Sequence, residues 1–514
     1  VLGLVRERVI AMFFGAGLHA DVFAAALRLP NVLQNLLGEG TLSASFIPVY
    51  SELLQRGRHE EAGRVAGAVF ALLVAIVGVL TLIGVTLAPL LVSVLTPGFE
   101  GLRRELMIDV LRLFVPMTAM LVLSAWALGV LNSHRQFFVP YFAPVLWNAA
   151  IIGALLGFGG RVALDELLMA GAWGALAGGA LQFAVQLPFV LRLDREIRLN
   201  TGRREPGFHE TVRNAGPAIL GRGVVQLSSY IDLVLVILLA VGAASRLRYA
   251  QTLYVLPVSL FAMSVAAAEL PELARERMGA IAELAERIAA AARRVAFFVV
   301  PSFVGYLVLG ETFVSGLYLT GEFTATDASV VYLILAAYSL GMLASTTTRV
   351  YQSAFFALRD TRTPARVAAL RVLVSATAGA LLMLQFEPVT VFGIALPAGA
   401  FANVTISGVP LGAVGLALGA SLGAWLEWFL LHRRLHRAVG DVGAGLAPIA
   451  RMIAAAGFAA AAAYAIRPLV SDVYPLASAF VVAAVFGLVS LGAGVALGLA
   501  QARAVVTQIR SLSR

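Results

Sequence analysis

DVFAAALRLPNVLQNLLGEGTLSASFIPVYSE, residues 21–52, decides how the rest of this chain is read. The segment is mostly apolar, yet it holds Asp21, Arg28, Glu39 and Glu52 and is interrupted by Pro30, Gly38, Gly40 and Pro48. A helix that simply crosses a bilayer avoids charges, which cost roughly 2.5–3.5 kcal/mol each near its centre. Those that persist face a watery cavity or a partner. Prolines and glycines at membrane depth mark bent or broken helices whose freed backbone groups line such a cavity. The stretch therefore predicts a broken span along a charged, central transport path.

The remaining sequence supports a membrane setting. Of 514 residues, 60% are hydrophobic and only 13% charged, against about 25% charged in an ordinary soluble protein. Uncharged runs such as 113–133, 136–160, 167–191, 328–348, 388–426 and 473–502 match or exceed the roughly 20 apolar residues a span needs. The fold class is all-α, a polytopic membrane protein of about fourteen transmembrane helices. The spans fall at 1–14, 22–50, 65–95, 107–132, 137–158, 167–191, 211–240, 247–270, 292–318, 328–356, 365–386, 408–431, 447–467 and 474–501. The first is too short to cross a bilayer and reads as a helix missing its start.

Cysteine is absent, which excludes disulfides and thiolate chemistry, and all 38 basic residues are arginine. Loops after even-numbered spans carry twenty-two arginines and loops after odd-numbered spans six. The positive-inside rule then places both termini in the cytoplasm. The same asymmetry explains the net charge of +9 without a nucleic-acid partner. Two connections, 192–210 and 275–291, read as surface-lying segments; the second has amphipathic spacing that fits an interfacial helix or a solvated linker helix.

An internal duplication is visible. GAWGALAGGALQFAVQLPFVL (171–191) resembles GAVGLALGASLGAWLEWFLL (412–431), and ALRLP ending at Pro30 matches LYVLP ending at Pro257. Two six-helix repeats of the same orientation follow, plus two C-terminal helices outside the repeat. The expected organisation is an N-terminal lobe (1–191), a linker (192–210), a C-terminal lobe (211–437) and the two extra helices (438–514).

RERVIAMFFGAGLHADVFAAALRLPNVL, then GEG and FIPVYSE, together with AGPAILG (215–221), LSSYIDLVLV (227–236), GEFTATD (321–327) and AFFALRDTRTP (354–364), resembles the MurJ (MviN) family of bacterial lipid II flippases. That family belongs to the superfamily that also contains MATE multidrug exporters. The resemblance implies two six-helix lobes around a cationic cavity, with the extra helices forming a groove for the lipid tail. It implies transport of the undecaprenyl-pyrophosphate-linked peptidoglycan precursor, lipid II, from the inner to the outer leaflet of the bacterial inner membrane by a monomer, without catalysis. No cofactor is implied; coupling to the membrane potential or a monovalent cation stays open.

The chemistry of that cargo suits arginine, which is permanently charged and grips phosphate oxygens bidentately. By resemblance, Arg6 is the first-helix arginine of the family, with Glu7 in place of the usual aspartate. Asp21 is the acid at the start of helix 2, Glu39 the acid of its A-E-G motif, and Asp232 an acid on helix 7. Arg28 and Arg349 fall where the family has lysine or arginine. Asn31, Gln34 and Thr252 complete the substrate-binding set, and Arg222 is a candidate replacement for lost charge. No metal site is expected. Glu269 is a further acid within a span. Arg112 beside Asp109 reads as structural, Arg371 as a snorkelling charge, and Arg359, Asp360 and Thr363 as shaping a turn.

Departures from the family pattern leave other readings open. Gln34 and Asn35 stand where the family has an arginine pair, and Gln251, Thr252 and Val255 replace charged positions on helix 8. Export of another polyprenyl-linked glycan, MATE-like export of amphipathic small molecules and a transport-inactive paralogue are the alternatives. A membrane glycan polymerase lacks a site: the longest extracytoplasmic stretch, about 387–407, holds one ionisable residue, Glu387.

Overall fold

The computed structural model describes residues 2–194, 196–262, 281–391, 394–470 and 474–512, with some side chains within these ranges excepted. The chain forms two compact units, Val1–Ser245 and Arg246–Arg514.

Unit 1 contains α1 (Leu2–Phe14), α2 (Leu18–Leu37), α3 (Glu39–Gln55), α4 (His59–Thr86), α5 (Ala88–Leu95), α6 (Gly101–Ser133), α7 (Phe138–Phe158), α8 (Leu164–Leu193), α9 (Pro206–Ile237) and the first turn of α10 (Ala243–Pro257). Unit 2 takes up the rest of α10, a π-helical turn (Val258–Ala262), α11 (Ile281–Tyr318), α12 (Ala325–Ser339), α13 (Met342–Ala357), α14 (Arg362–Phe386), α15 (Gly412–Val439), α16 (Leu446–Ile466), α17 (Pro475–Ala496) and α18 (Ala500–Leu512). Among the described residues, nine helices are long and apolar enough to cross a membrane, or ten when α12 and α13, bent by 41°, count as one span. The other predicted spans are short (α1), broken (α2 and α3), or include residues that are not fully described (α9 and α10).

The opening segment breaks at Gly38, which separates α2 from α3. A Cβ there would lie 2.5 Å from the Gln34 carbonyl and 3.3 Å from the Ala125 side chain, so glycine lets the break press against α6. The duplicated segment also acts through glycine. On α8, a Cβ at Gly178 would meet the Trp147 backbone of α7 at 2.9 Å. On α15, a Cβ at Gly415 would meet the Leu382 backbone of α14 at 2.6 Å, and one at Gly419 would collide with the Gly379 backbone. Without a hydrophobic drive between helices in lipid, such close backbone approach supplies the packing energy. Both copies use it to hold the preceding helix.

Three connections show structure the sequence did not specify, and one of them, 275–291, corrects an expectation. The 192–205 connection is an extended strap on α4: Cβ atoms at Gly63 and Gly67 would strike the Glu196 and Arg198 backbones. Asn200 Nδ2 donates to the Arg64 carbonyl at 2.8 Å, and Arg64 Nε to Glu205 at 2.8 Å. The described part of 275–291 is no separate surface helix, because Ile281 onward is continuous with α11; the remainder lies outside the described residues. The uncharged 388–410 stretch forms two hairpins, β1 (Val389–Val391) with β2 (Ile394–Leu396) and β3 (Thr405–Ile406) with β4 (Val409–Pro410). Ser407 (φ 49°) and Gly408 (φ 81°) make the positive-φ turn that a tight hairpin requires.

The glycine contact predicts a contrast. Gly419→Leu should lower the unfolding free energy in detergent by about 1–3 kcal/mol through overpacking. Gly457→Leu on α16, where a Cβ meets open space, should change it by no more than about 0.5 kcal/mol. Denaturation of the two variants side by side checks this.

Candidate functional site

Charge in unit 1 gathers at helix ends. At one end, Asp21 in the first turn of α2 is fully enclosed. Its carboxylate accepts from Arg103 Nη2 (2.6 Å), the Gly242 amide (2.7 Å) and the Ser245 amide (2.8 Å). It thus satisfies orphan amides at the start of α10. The Arg103 guanidinium also lies 3.9 Å from the Phe99 ring centroid. Nearby in the chain, His19 Nε2 meets Asp165 Oδ1 of α8 at 2.6 Å.

At the far ends of α3, α6 and α8 a second polar cluster forms. The Tyr50 hydroxyl donates to Asp194 Oδ2 (2.7 Å) and lies 2.9 Å from His134 Nε2. The carboxylate can only accept, so the hydroxyl oxygen is left to accept from the imidazole N–H. Burial holds the His134 pKa below the usual histidine range, against the opposing pull of Asp194.

Arg6 is buried on α1, with Nη2 2.7 Å from Glu7 Oε1 and its guanidinium 5.0 Å from the Trp147 ring centroid of α7. Further along α2, Arg28, Asn31 and Asn35 recur at helical spacing. Arg28 and Gln34 are half-buried, and Asn31 and Asn35 exposed. The adjoining face, Val32, Leu33 and Leu36, lines an apolar cavity of about 450 Å³ that Gln226 and Tyr230 of α9 also line. Helix α2 therefore joins two surfaces: one side lines an apolar cavity, while the side next to it carries the polar stripe. Asp232 on α9 is half-buried. The Glu39 and Arg222 side chains, and Glu269 altogether, lie outside the described residues.

In unit 2, Thr252 is half-buried and bonds back to the Arg248 carbonyl (2.9 Å), and Arg349 is exposed. Next to Thr252, the Gln251 amide donates to the Tyr338 hydroxyl at 2.9 Å. Arg371 does not merely snorkel: its Nη1 reaches Glu427 Oε2 at 2.9 Å, and Gln352 Nε2 holds the other oxygen at 3.0 Å. Glu427 is 1% exposed, and a carboxylate enclosed that way requires such partners. Arg112 pairs with Asp109 at 3.1 Å. Asp360 Oδ1 accepts the Arg362 and Thr363 amides (3.0 and 2.9 Å); the Thr363 side-chain and amide bonds hold its pKa below the usual carboxylate value. Among the described residues, no group of three or more His, Cys, Asp or Glu is arranged to hold a metal.

Sequence reasoning missed three partners. Arg103 and Arg246 read as loop arginines, but both lie inside first helical turns in enclosed ion pairs, Arg246 Nη2 meeting Asp327 Oδ1 at 2.8 Å. Glu427 hides in an otherwise apolar helix. The signal available was an arginine where a helix N-terminus favours acids.

A broken, charged second span in a duplicated helical chain finds its counterpart in known proteins. The profile of the family described as lipid II flippase MurJ matches residues 10–407. This chain belongs to the MurJ family. The MurJ of Burkholderia cenocepacia, named lipid II flippase, is 30% identical over 72% of this chain and 72% of its own length. A probable lipid II flippase MurJ of Rhizobium tropici is 32% identical over 77% and 74%. Among solved structures, a lipid II flippase MurJ in an inward closed conformation superposes with TM-score 0.73 at 20% identity, covering 96% of this chain and 97% of its own. An inward-facing MATE family multidrug resistance transporter of the MOP superfamily reaches 0.68 at 14% identity, covering 86% and 95%. At these identities the structural likeness shows the fold, and the MurJ assignment rests on the profile and the relatives.

Two measurements test the polar clusters. Arg371→Ala should cost about 1–3 kcal/mol by leaving a buried Glu427 oxygen without its donor. In a Glu427→Gln background the same change should cost much less, a coupling that a double-mutant cycle reads. For His134, the depressed pKa means that the unfolded chain takes up the proton first. Stability should therefore fall as pH drops below about 6.5, and His134→Gln should flatten that part of the pH–stability curve.

Proposed function

We propose that this protein flips lipid II from the inner to the outer leaflet of the bacterial cytoplasmic membrane, with both termini in the cytoplasm, as a monomer. Membership of the MurJ family across residues 10–407 is the observation that carries this reading. The chemistry of the chain supports it. Lipid II combines a pyrophosphate and a hydrophilic sugar-peptide with a prenyl tail, so its headgroup must pass roughly 30 Å of hydrocarbon while the tail stays in lipid. The accessible stripe of α2 offers Arg28, Asn31, Gln34 and Asn35 to such a headgroup.

Arg6 is the proposed pyrophosphate ligand. Without cargo, Glu7 neutralises its guanidinium at 2.7 Å, keeping a buried cation from standing alone. A pyrophosphate presents more charge and a bidentate geometry, and it displaces the carboxylate as the partner of Arg6. The lobes 1–191 and 211–437 would rock in alternating access, linked by 192–210, with residues 438–514 providing the tail groove. Coupling to the membrane potential is part of the proposal, since one charge moved through 100 mV is worth about 2.3 kcal/mol.

The test is accessibility of labelled lipid II headgroup in proteoliposomes, joined to complementation of a flippase-depleted strain. Arg6→Ala should reduce flipping by about tenfold or more, as loss of a charge-assisted phosphate contact implies, and Arg6→Lys should fall between. Full flipping by Arg6→Ala would remove Arg6 from the site. Flipping unchanged after collapse of the potential would remove the coupling.

A further inference from the structure

Two enclosed ion pairs, one in each unit, occupy matching positions. Asp21 is the fourth residue of α2 and Arg246 the fourth residue of α10. Arg103 is the third residue of α6 and Asp327 the third residue of α12. By the duplication, α2 and α10 begin the second span of each repeat, and α6 and α12 the fourth. In unit 1 the second span supplies the acid and the fourth the arginine, at 2.6 Å with side chains 0% and 7% exposed. In unit 2 the second span supplies the arginine and the fourth the acid, at 2.8 Å with side chains 11% and 9% exposed. Two other inter-helix pairs among the described residues leave one partner open: Arg371 is 41% exposed beside Glu427 and Arg64 43% beside Glu205.

Helix-end electrostatics explain why the pair survives with either polarity. All four residues sit in first turns, where the partial positive charge of unpaired amides favours an anion and opposes a cation. Two such turns brought side by side repel each other and raise the cost of an arginine on either. One carboxylate cancels both effects, whichever helix carries it. In unit 1 that carboxylate also takes the Gly242 and Ser245 amides. In unit 2 it takes the Thr324 amide and hydroxyl in a capping box while binding Arg246 through Nε and Nη2.

We infer that Asp21–Arg103 and Arg246–Asp327 are one ion pair present twice with reversed polarity, and that each positions the second span of its unit against the fourth for transport. Arg103, Arg246 and Asp327 are thereby positioning residues, acting through helix placement and not through contact with cargo. The inference goes beyond the proposed flipping activity, because it assigns a part to each unit whatever the cargo is.

The experiment is charge exchange in the full chain, reconstituted as above, with the thermal midpoint in detergent measured beside flipping. Arg246→Asp and Asp327→Arg alone each set like charges together in an enclosed site, and each should lower flipping by about tenfold or more. The double exchange should recover midpoint and flipping well above either single reversal, short of the unaltered protein because it removes the carboxylate that accepts the Thr324 amide and hydroxyl. Asp21→Arg with Arg103→Asp should likewise recover in part, since arginine cannot accept the Gly242 and Ser245 amides. If single reversals prevent folding, Arg246→Lys should keep the midpoint and Arg246→Gln lose it. Single reversals at unaltered activity, or a double exchange no better than its worse single, overturn the inference. Absence of flipping by the unaltered protein would fault the flippase reading, while the midpoints would still decide the pairs.

Discussion

A carboxylate taken out of water must be met by donors, and the ends of helices are where an apolar chain has donors to spare. Asp21 illustrates the constraint that the structure answers repeatedly. It has no exposed surface, yet it receives one guanidinium and two backbone amides. Because those amides begin α10 and the guanidinium begins α6, a single side chain fixes where three helices start. The opposite ends obey the same economy, with Tyr50, His134 and Asp194 closing α3, α6 and α8. Between the ends, polar chemistry thins, and glycine-mediated backbone approach takes over: Gly174 and Gly178 against α7, Gly415 and Gly419 against α14.

This division explains what was legible in the sequence. The helical class, the family and the break near Gly38 follow from local signals, namely apolar runs, motifs and breakers, that need no knowledge of neighbours. The glycine repeat at 171–191 and 412–431 was visible as a duplication, and its meaning as a packing face appears once α7 and α14 are seen against it. The partners of buried charges were not legible, because an ion pair joins residues 82 positions apart (Asp21 and Arg103) or 56 apart (Arg371 and Glu427), and no periodicity records that. Arg103 and Arg246 looked like loop charges because each stands at the border of an apolar run, where a loop arginine and a first-turn arginine have the same sequence context. The strap at 192–205 escaped for a related reason: what holds it is the missing side chains of Gly63 and Gly67 on another helix.

The comparison of the two units sharpens the reading of the α2 stripe. Where α2 carries Arg28, Asn31 and Asn35, the positions that match them when Pro30 is set against Pro257 are Val255, Val258 and Ala262. Helix α2 is interrupted at Gly38 and α10 runs into a π-turn at Val258; the counterpart of Gly38 lies outside the described residues. Duplication has therefore preserved two mechanical features, the glycine seam and the first-turn ion pair, while the residues at the stripe positions have diverged. Mechanical parts are constrained by geometry, which either copy satisfies with any residue set that closes the same gaps, as the reversed ion pair illustrates. The stripe proposed to face the cargo would have to answer to a ligand as well as to its neighbours. Absence of charge at the matching positions of α10, with its ion pair kept, is the pattern expected when the architecture is held fixed and the recognition surface is free to concentrate on one helix. On that argument, the proposed recognition chemistry would rest chiefly on Arg6 and the stripe of α2, with the second unit contributing shape more than charge.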